Sequence, residues 1–183
     1  FALDMYGSGK QADHPDTAQK FMQEATSNME QVKTRFLKAK ELLQNHDSVD
    51  PDRIAAQGYC FGGAVVLNMA RMGVDLDGVV SYHGALGSPL QAEAGTVKAR
   101  VQVYTGGADD MVPSEQVAGL VREMQNAEVD LTLVSFPGVK HSFTNPNADK
   151  VAAEFDMPIA YDEAAARRSW QGTMRFYEEI FGE

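Results

Sequence analysis

A single cysteine among 183 residues excludes any disulfide within the chain, and that scarcity fits a reducing compartment, so a cytoplasmic location is expected. Basic residues are also few: 16 Lys and Arg against 26 Asp and Glu leave a formal net charge of -10. That balance argues against nucleic acid or an anionic membrane surface as a partner. No apolar run approaches the roughly 20 residues needed to cross a bilayer. There is no Met at position 1, and Phe1-Ala2-Leu3-Asp4-Met5-Tyr6 reads as a strand already under way, not as the charged-then-apolar start of a signal peptide. What is present suffices for one core. Apolar residues make up 44% of the chain, and 1–183 is the length of a single domain, expected as a monomer or small homo-oligomer.

Gly7-Ser8-Gly9-Lys10 invites a phosphate-loop reading, but that motif needs a Gly where Asp4 stands and a Ser or Thr where Gln11 stands. The reading fails. From Thr17 to about His46 the apolar positions Phe21, Ala25, Met29, Val32, Phe36, Ala39 and Leu43 step by four and three, which predicts a buried helical face, with a break near Thr26-Ser27-Asn28. Strands are then predicted at 53–57, 78–83, 100–105 and 131–136. Helices are predicted at 64–72, ended by Gly73, and from Pro113-Ser114 onward. A loop carrying Pro146 and Pro158 leads to a last helix, whose Trp170, Met174, Tyr177 and Phe181 form the stripe expected to dock on the sheet. Strands alternating with helices in this way imply a mostly parallel sheet covered on both faces, an α/β fold. Ligands in such folds sit beyond the carboxyl ends of the strands.

Gly58-Tyr59-Cys60-Phe61-Gly62-Gly63 lies where a strand enters and a helix leaves, the arrangement of a nucleophile elbow with Cys60 at its centre. The positive end of a helix dipole favours a thiolate, so the position suits a nucleophile. A lone Cys is equally at home as a small buried hydrophobe, so its partners decide. Asp109 with Asp110, and His141, likewise follow predicted strand ends, and nucleophile, acid and histidine run in α/β-hydrolase order. In that arrangement His141 takes the thiol proton, a carboxylate fixes the imidazole, and the Phe61 amide supports an oxyanion. Chemistry alone leaves Asp109 and Asp110 both open as the acid. Of the four histidines, His14 and His46 lie in polar surroundings, while His83 ends a strand and is a second candidate base. Tyr6, Tyr82, His83, Ser142 and Phe143 flank predicted strand ends and are expected to shape the pocket.

Three blocks together, Gly58 to Gly63, Gly106-Gly107-Ala108-Asp109-Asp110-Met111-Val112-Pro113 and Gly138-Val139-Lys140-His141-Ser142-Phe143, resemble the dienelactone hydrolase family, and Ala2-Leu3-Asp4-Met5-Tyr6-Gly7 resembles its strand before the first long helix. The likeness spans essentially the whole chain. It implies an α/β-hydrolase fold and a Cys-His-Asp triad that hydrolyses small esters or lactones with no cofactor and no metal, and it selects Asp109 as the acid. The family begins with further strands, a loop carrying the second oxyanion donor and a Glu that holds the resting thiol. None of these precedes Phe1, so the chain reads as N-terminally incomplete. Thr144-Asn145 also stand where an Arg gripping a substrate carboxylate is expected, which argues against dienelactone itself. Thioesters are a further substrate class. Glutamine amidotransferase-like hydrolases also carry G-x-C-x-G, but they need His-x-Glu where this chain has His141-Ser142-Phe143. A catalytically silent α/β-hydrolase-like binding protein is the non-enzymatic alternative.

Overall fold

The structure, a computed structural model, describes residues 1–182. The chain divides into two compact units, the first comprising residues 1–54 and the second beginning at Ala55. In the first unit, α1 (Pro15–Thr26) and α2 (Met29–Gln44) are separated at Ser27-Asn28, where the sequence predicts a break. The cause is local. Asn28 leaves the helical backbone and its side chain accepts the Gln31 N–H at 3.1 Å, capping α2. Phe1–Tyr6 is not a strand. The Asp4 carboxylate instead accepts the Tyr6 and Gly7 amides at 2.9 and 3.0 Å, bending the chain just where an extended run would have to continue.

The second unit runs β1 (Ala55–Tyr59), α3 (Phe61–Arg71), β2 (Gly78–Tyr82), β3 (Arg100–Gly106), α4 (Ser114–Asn126), β4 (Leu131–Phe136), α5 (Ala148–Phe155) and α6 (Glu163–Phe181). The four strands are all parallel and lie in the order β1-β2-β3-β4. Strand β1 sits two residues later than 53–57, which brings Tyr59 into the sheet beside Tyr82, and Tyr82 beside Tyr104. Every carboxyl end therefore reaches the same edge.

Helices cover both faces. A Cβ placed on Gly63 of α3 would meet the Ser81 side chain, whereas one placed on Gly78 would meet Phe176 and Ile180 of α6. Positions 78 and 81 are an odd number apart on β2, so they point to opposite faces, which puts α3 and α6 on opposite sides. Between sheet and α6 lies an aromatic core that includes Val80, Tyr82, Tyr104, Phe136, Phe143 and Phe176.

Two expectations change. The buried stripe of α6 is Ala165, Ser169, Thr173 and Phe176; of the expected stripe, Tyr177 packs against the aromatic core and Trp170 is exposed. The strands already present large rings on this face, so the helix must contribute small groups. The Thr173 and Tyr82 hydroxyls bond to each other, and Gly172 leaves room for the Tyr104 hydroxyl, which any Cβ there would strike. The expected loop before α6 also contains α5, a helix of 8 residues whose Ala148, Val151, Ala152 and Phe155 recur at helical spacing on its less exposed face, a short signal that the Pro146 and Pro158 loop reading passed over.

Behind the elbow, α3 is anchored by Arg71, whose guanidinium makes paired bonds of 2.8 and 2.9 Å to Glu123 of α4 and a third, of 2.8 Å, to the Leu86 carbonyl. Glu123 also accepts the Ala92 amide. Both charged side chains are almost fully buried. Removing one partner strands the other, so Glu123→Ala is expected to lower unfolding stability by about 3–5 kcal/mol, read from the urea midpoint. Among the described residues no helix is long and apolar enough to cross a membrane.

Candidate active site

One residue separates β1 from α3, and that residue is Cys60. Its backbone has φ 51° and ψ -115°, a left-handed turn that costs a non-glycine residue about 1–3 kcal/mol. The flanking glycines permit it. A Cβ on Gly58 would run into the Gly62 backbone, and one on Gly63 would lie 2.6 Å from Ser81 Oγ. The Cys60 N–H donates to the Tyr82 carbonyl at 3.0 Å, and its own carbonyl accepts from Ala64. The backbone is thus fixed on both sides and the thiol-bearing residue is exposed at the start of α3. Phe61 is the first helical residue, so its amide sits at the positive end of the dipole beside the sulfur.

Asp109 lies three residues past β3 and is 5% exposed. One carboxylate oxygen accepts the Met111 and Val112 amides at 2.9 and 3.2 Å, and the other accepts from Nδ1 of His141 at 2.8 Å. Asp110 is exposed. His141, past the end of β4 and 4% exposed, is held by its backbone: it forms a lone parallel bridge to Ile159, and its carbonyl accepts the Ala160 amide. Its Nε2 stands 3.2 Å from Cys60 Sγ. Three strand ends thus bring a thiol, an imidazole and a carboxylate into one hydrogen-bonded line. Burial works against the imidazolium, yet the bonds to Asp109 and Cys60 and their charges outweigh it, raising His141 to about 9.

His83 has a different environment. It follows β2 in a left-handed conformation (φ 39°), is 3% exposed, and bonds through Nε2 to Thr144 Oγ1 at 2.8 Å. Its ring meets that of His141 edge-on at 5.0 Å, and burial followed by the charge of His141 lowers it to about 4. As a base for the Cys60 thiol it is poorly placed, since its Nε2 is committed to Thr144. Tyr82, His83 and Ser142 line a cavity of about 500 Å³ on which Cys60 opens. Phe143, expected in that wall, is instead fully buried in the aromatic core, against Phe136 and the edge of His83. Tyr6 belongs to the first unit, where it packs on Phe21. The sequence reading missed Tyr59, Thr144, Asn145 and Trp170 as cavity residues. The signal for Trp170 was the phase of α6: once the small residues form the buried stripe, it must face outward. Among the described residues no group of three or more His, Cys, Asp or Glu is placed to hold a metal ion.

A family model described as the dienelactone hydrolase family matches residues 1–181. The chain belongs to the dienelactone hydrolase family. Relatives of this dienelactone hydrolase family member include protein usf of Aquifex pyrophilus, 28% identical over 181 residues, which cover 98% of this chain and 74% of that protein. An uncharacterized protein of Caenorhabditis elegans is 32% identical over 155 residues, 82% of this chain and 94% of its own. Among solved structures, a dienelactone hydrolase-like promiscuous phosphotriesterase from metagenomic libraries superposes with a TM-score of 0.86 at 28% identity, covering 98% of this chain and 73% of that one. Family and fold agree: the chain is a hydrolase of the α/β-hydrolase type, with its candidate site at the carboxyl edge of a parallel sheet.

Because the folded state holds the His141 proton more tightly than an unfolded chain, with its ordinary value of 6.5, this residue adds stability that is full below pH 6.5 and lost as pH rises to about 9. The contribution is about 3 kcal/mol. Urea midpoints measured from pH 6 to 9.5 are expected to fall across that window, and the His141→Asn variant should lack this component of the fall.

Proposed function

We propose that this dienelactone hydrolase family member hydrolyses small ester, lactone or thioester bonds through a Cys60-His141-Asp109 triad and an acyl-cysteine intermediate. The observation that carries the reading is the line of contacts from Cys60 Sγ through His141 to Asp109, 3.2 and 2.8 Å long. An imidazole raised to about 9 supports a resting thiolate–imidazolium pair. The thiolate attacks the carbonyl carbon, a carbon–sulfur bond forms, and the carbonyl electrons move to oxygen, where the Phe61 amide stabilises the charge. As the oxyanion collapses, the leaving alkoxide or thiolate departs with the Nε2 proton. His141, now neutral, takes a proton from water. The resulting hydroxide attacks the acyl carbon, and the Cys60 thiolate is expelled to complete the turnover.

Asp109 acts through His141. Its carboxylate fixes the tautomer that aims Nε2 at sulfur, and it balances the imidazolium charge. Two backbone amides hold the carboxylate in place, so it does not swing to the exposed position that Asp110 occupies. Tyr82, His83 and Ser142 serve as substrate-side wall.

Cys60→Ala is expected to abolish turnover of p-nitrophenyl acetate, measured at 405 nm. Asp109→Asn should lower kcat by at least about 100-fold, and Asp110→Asn should stay near wild type. Turnover that survives Cys60→Ala, or the reverse ranking of the two aspartates, would falsify the assignment.

A further inference from the structure

The cavity beside Cys60 has two kinds of wall. One is aromatic: Trp170 on α6 is 48% exposed, and Tyr59 at the end of β1 is 42% exposed. Tyr59 is the outer rung of a stacked series, lying on Tyr82 at 4.5 Å and 13°, with Tyr82 on Tyr104 at 5.2 Å and 26°. Ring faces left open beside a cavity are surfaces on which another flat group gains stacking energy.

The other wall is polar and uncharged, formed by Thr144 and Asn145. The Thr144 hydroxyl is oriented by Nε2 of His83, a residue 97% buried whose Nδ1 has no hydrogen-bond partner among the described residues. His83 is neutral at ordinary pH, because burial and then the neighbouring His141 charge lower it to about 4. It therefore orders the threonine without adding a charge. Among the described residues, no Lys, Arg, Asp or Glu lines the cavity, and the chain carries a net charge of -10. A carboxylate entering this space gives up hydration with no Lys or Arg to pair with, since the charge of His141 is already met by Asp109 and the Cys60 sulfur, and it moves against a field of its own sign. A flat neutral group loses little hydration and gains the ring faces.

We infer that, on the reading that Cys60 acylates, this cavity selects a flat, uncharged acyl or aryl group, stacked on Trp170 and hydrogen-bonded to the Thr144 hydroxyl, and discriminates against groups bearing a carboxylate. Trp170 is the only tryptophan in the sequence, so its emission reports occupancy without turnover.

The test titrates benzamide and benzoate, alike in shape, different in charge and neither of them an ester, into the full chain with Cys60 intact, so that the sulfur stays on Nε2 of His141. Benzamide is expected to shift Trp170 emission with a Kd at least about tenfold below that of benzoate. Thr144→Arg, which sets a cation on the polar wall, should reverse that order while far-UV circular dichroism stays unchanged. Benzoate binding as tightly as benzamide, neither ligand moving the emission, or an unreversed preference in folded Thr144→Arg overturns the inference. The result is separable from the nucleophile assignment. Ester turnover that survives Cys60→Ala would remove Cys60 from the chemistry and leave the measured preference of the cavity standing.

Discussion

The left-handed backbone at Cys60 is the constraint from which the rest of the second unit follows. A side chain at the end of a parallel strand ordinarily lies along one sheet face, packed under a helix. With φ at 51° and the next residue already helical, the sulfur is lifted off both faces and out over the carboxyl edge. The strain is offset by what surrounds it. Amide and carbonyl bonds to Tyr82 and Ala64 pin the residue, while Arg71 and Glu123 lock the far end of the helix that would have to move if the turn relaxed.

Electrostatics divide the two buried histidines by their partners. Both lie at strand ends with little solvent, and burial alone pushes each toward the neutral form. His141 has a carboxylate on one nitrogen and the thiol on the other, which outweighs burial. His83 has a hydroxyl on one nitrogen and, among the described residues, no hydrogen-bond partner on the other, so burial wins. Placing the rings edge-on at 5.0 Å reinforces the split, since a proton on His141 opposes one on His83. The outcome is one imidazole suited to carrying charge and one suited to holding a neighbour still.

The aromatic core joins the sheet to the cavity. Tyr59, Tyr82 and Tyr104 are partners in the strand register, and their rings stack across the face that α6 covers. The inner rungs are buried and the outer one opens on the cavity. Packing that stabilises the sheet thereby also supplies a recognition surface, and the small residues of α6 are the accommodation that lets helix and rings share one layer.

Several features were legible in the primary structure because they rest on local rules. The parallel α/β architecture followed from alternating periodicities, the break at Asn28 from its capping side chain, and the turn at Cys60 from glycines whose missing Cβ atoms are needed for close approach. Other features belong to the folded chain alone, because they depend on neighbours distant in sequence. Residue chemistry left Asp109 and Asp110 both open and only the family resemblance picked Asp109; which of them faces the imidazole is decided physically by where the loop after β3 meets the one after β4. Whether Trp170 or Ser169 faces the sheet is decided by the rings already standing there. The fold of Phe1–Tyr6 was misread because an extended pattern forms a strand only where other backbone groups pair with it, and the Asp4 carboxylate took those amides first. Sequence fixes which groups each segment offers, and tertiary structure decides which of them meet, since contact is set by packing and register and not by order along the chain.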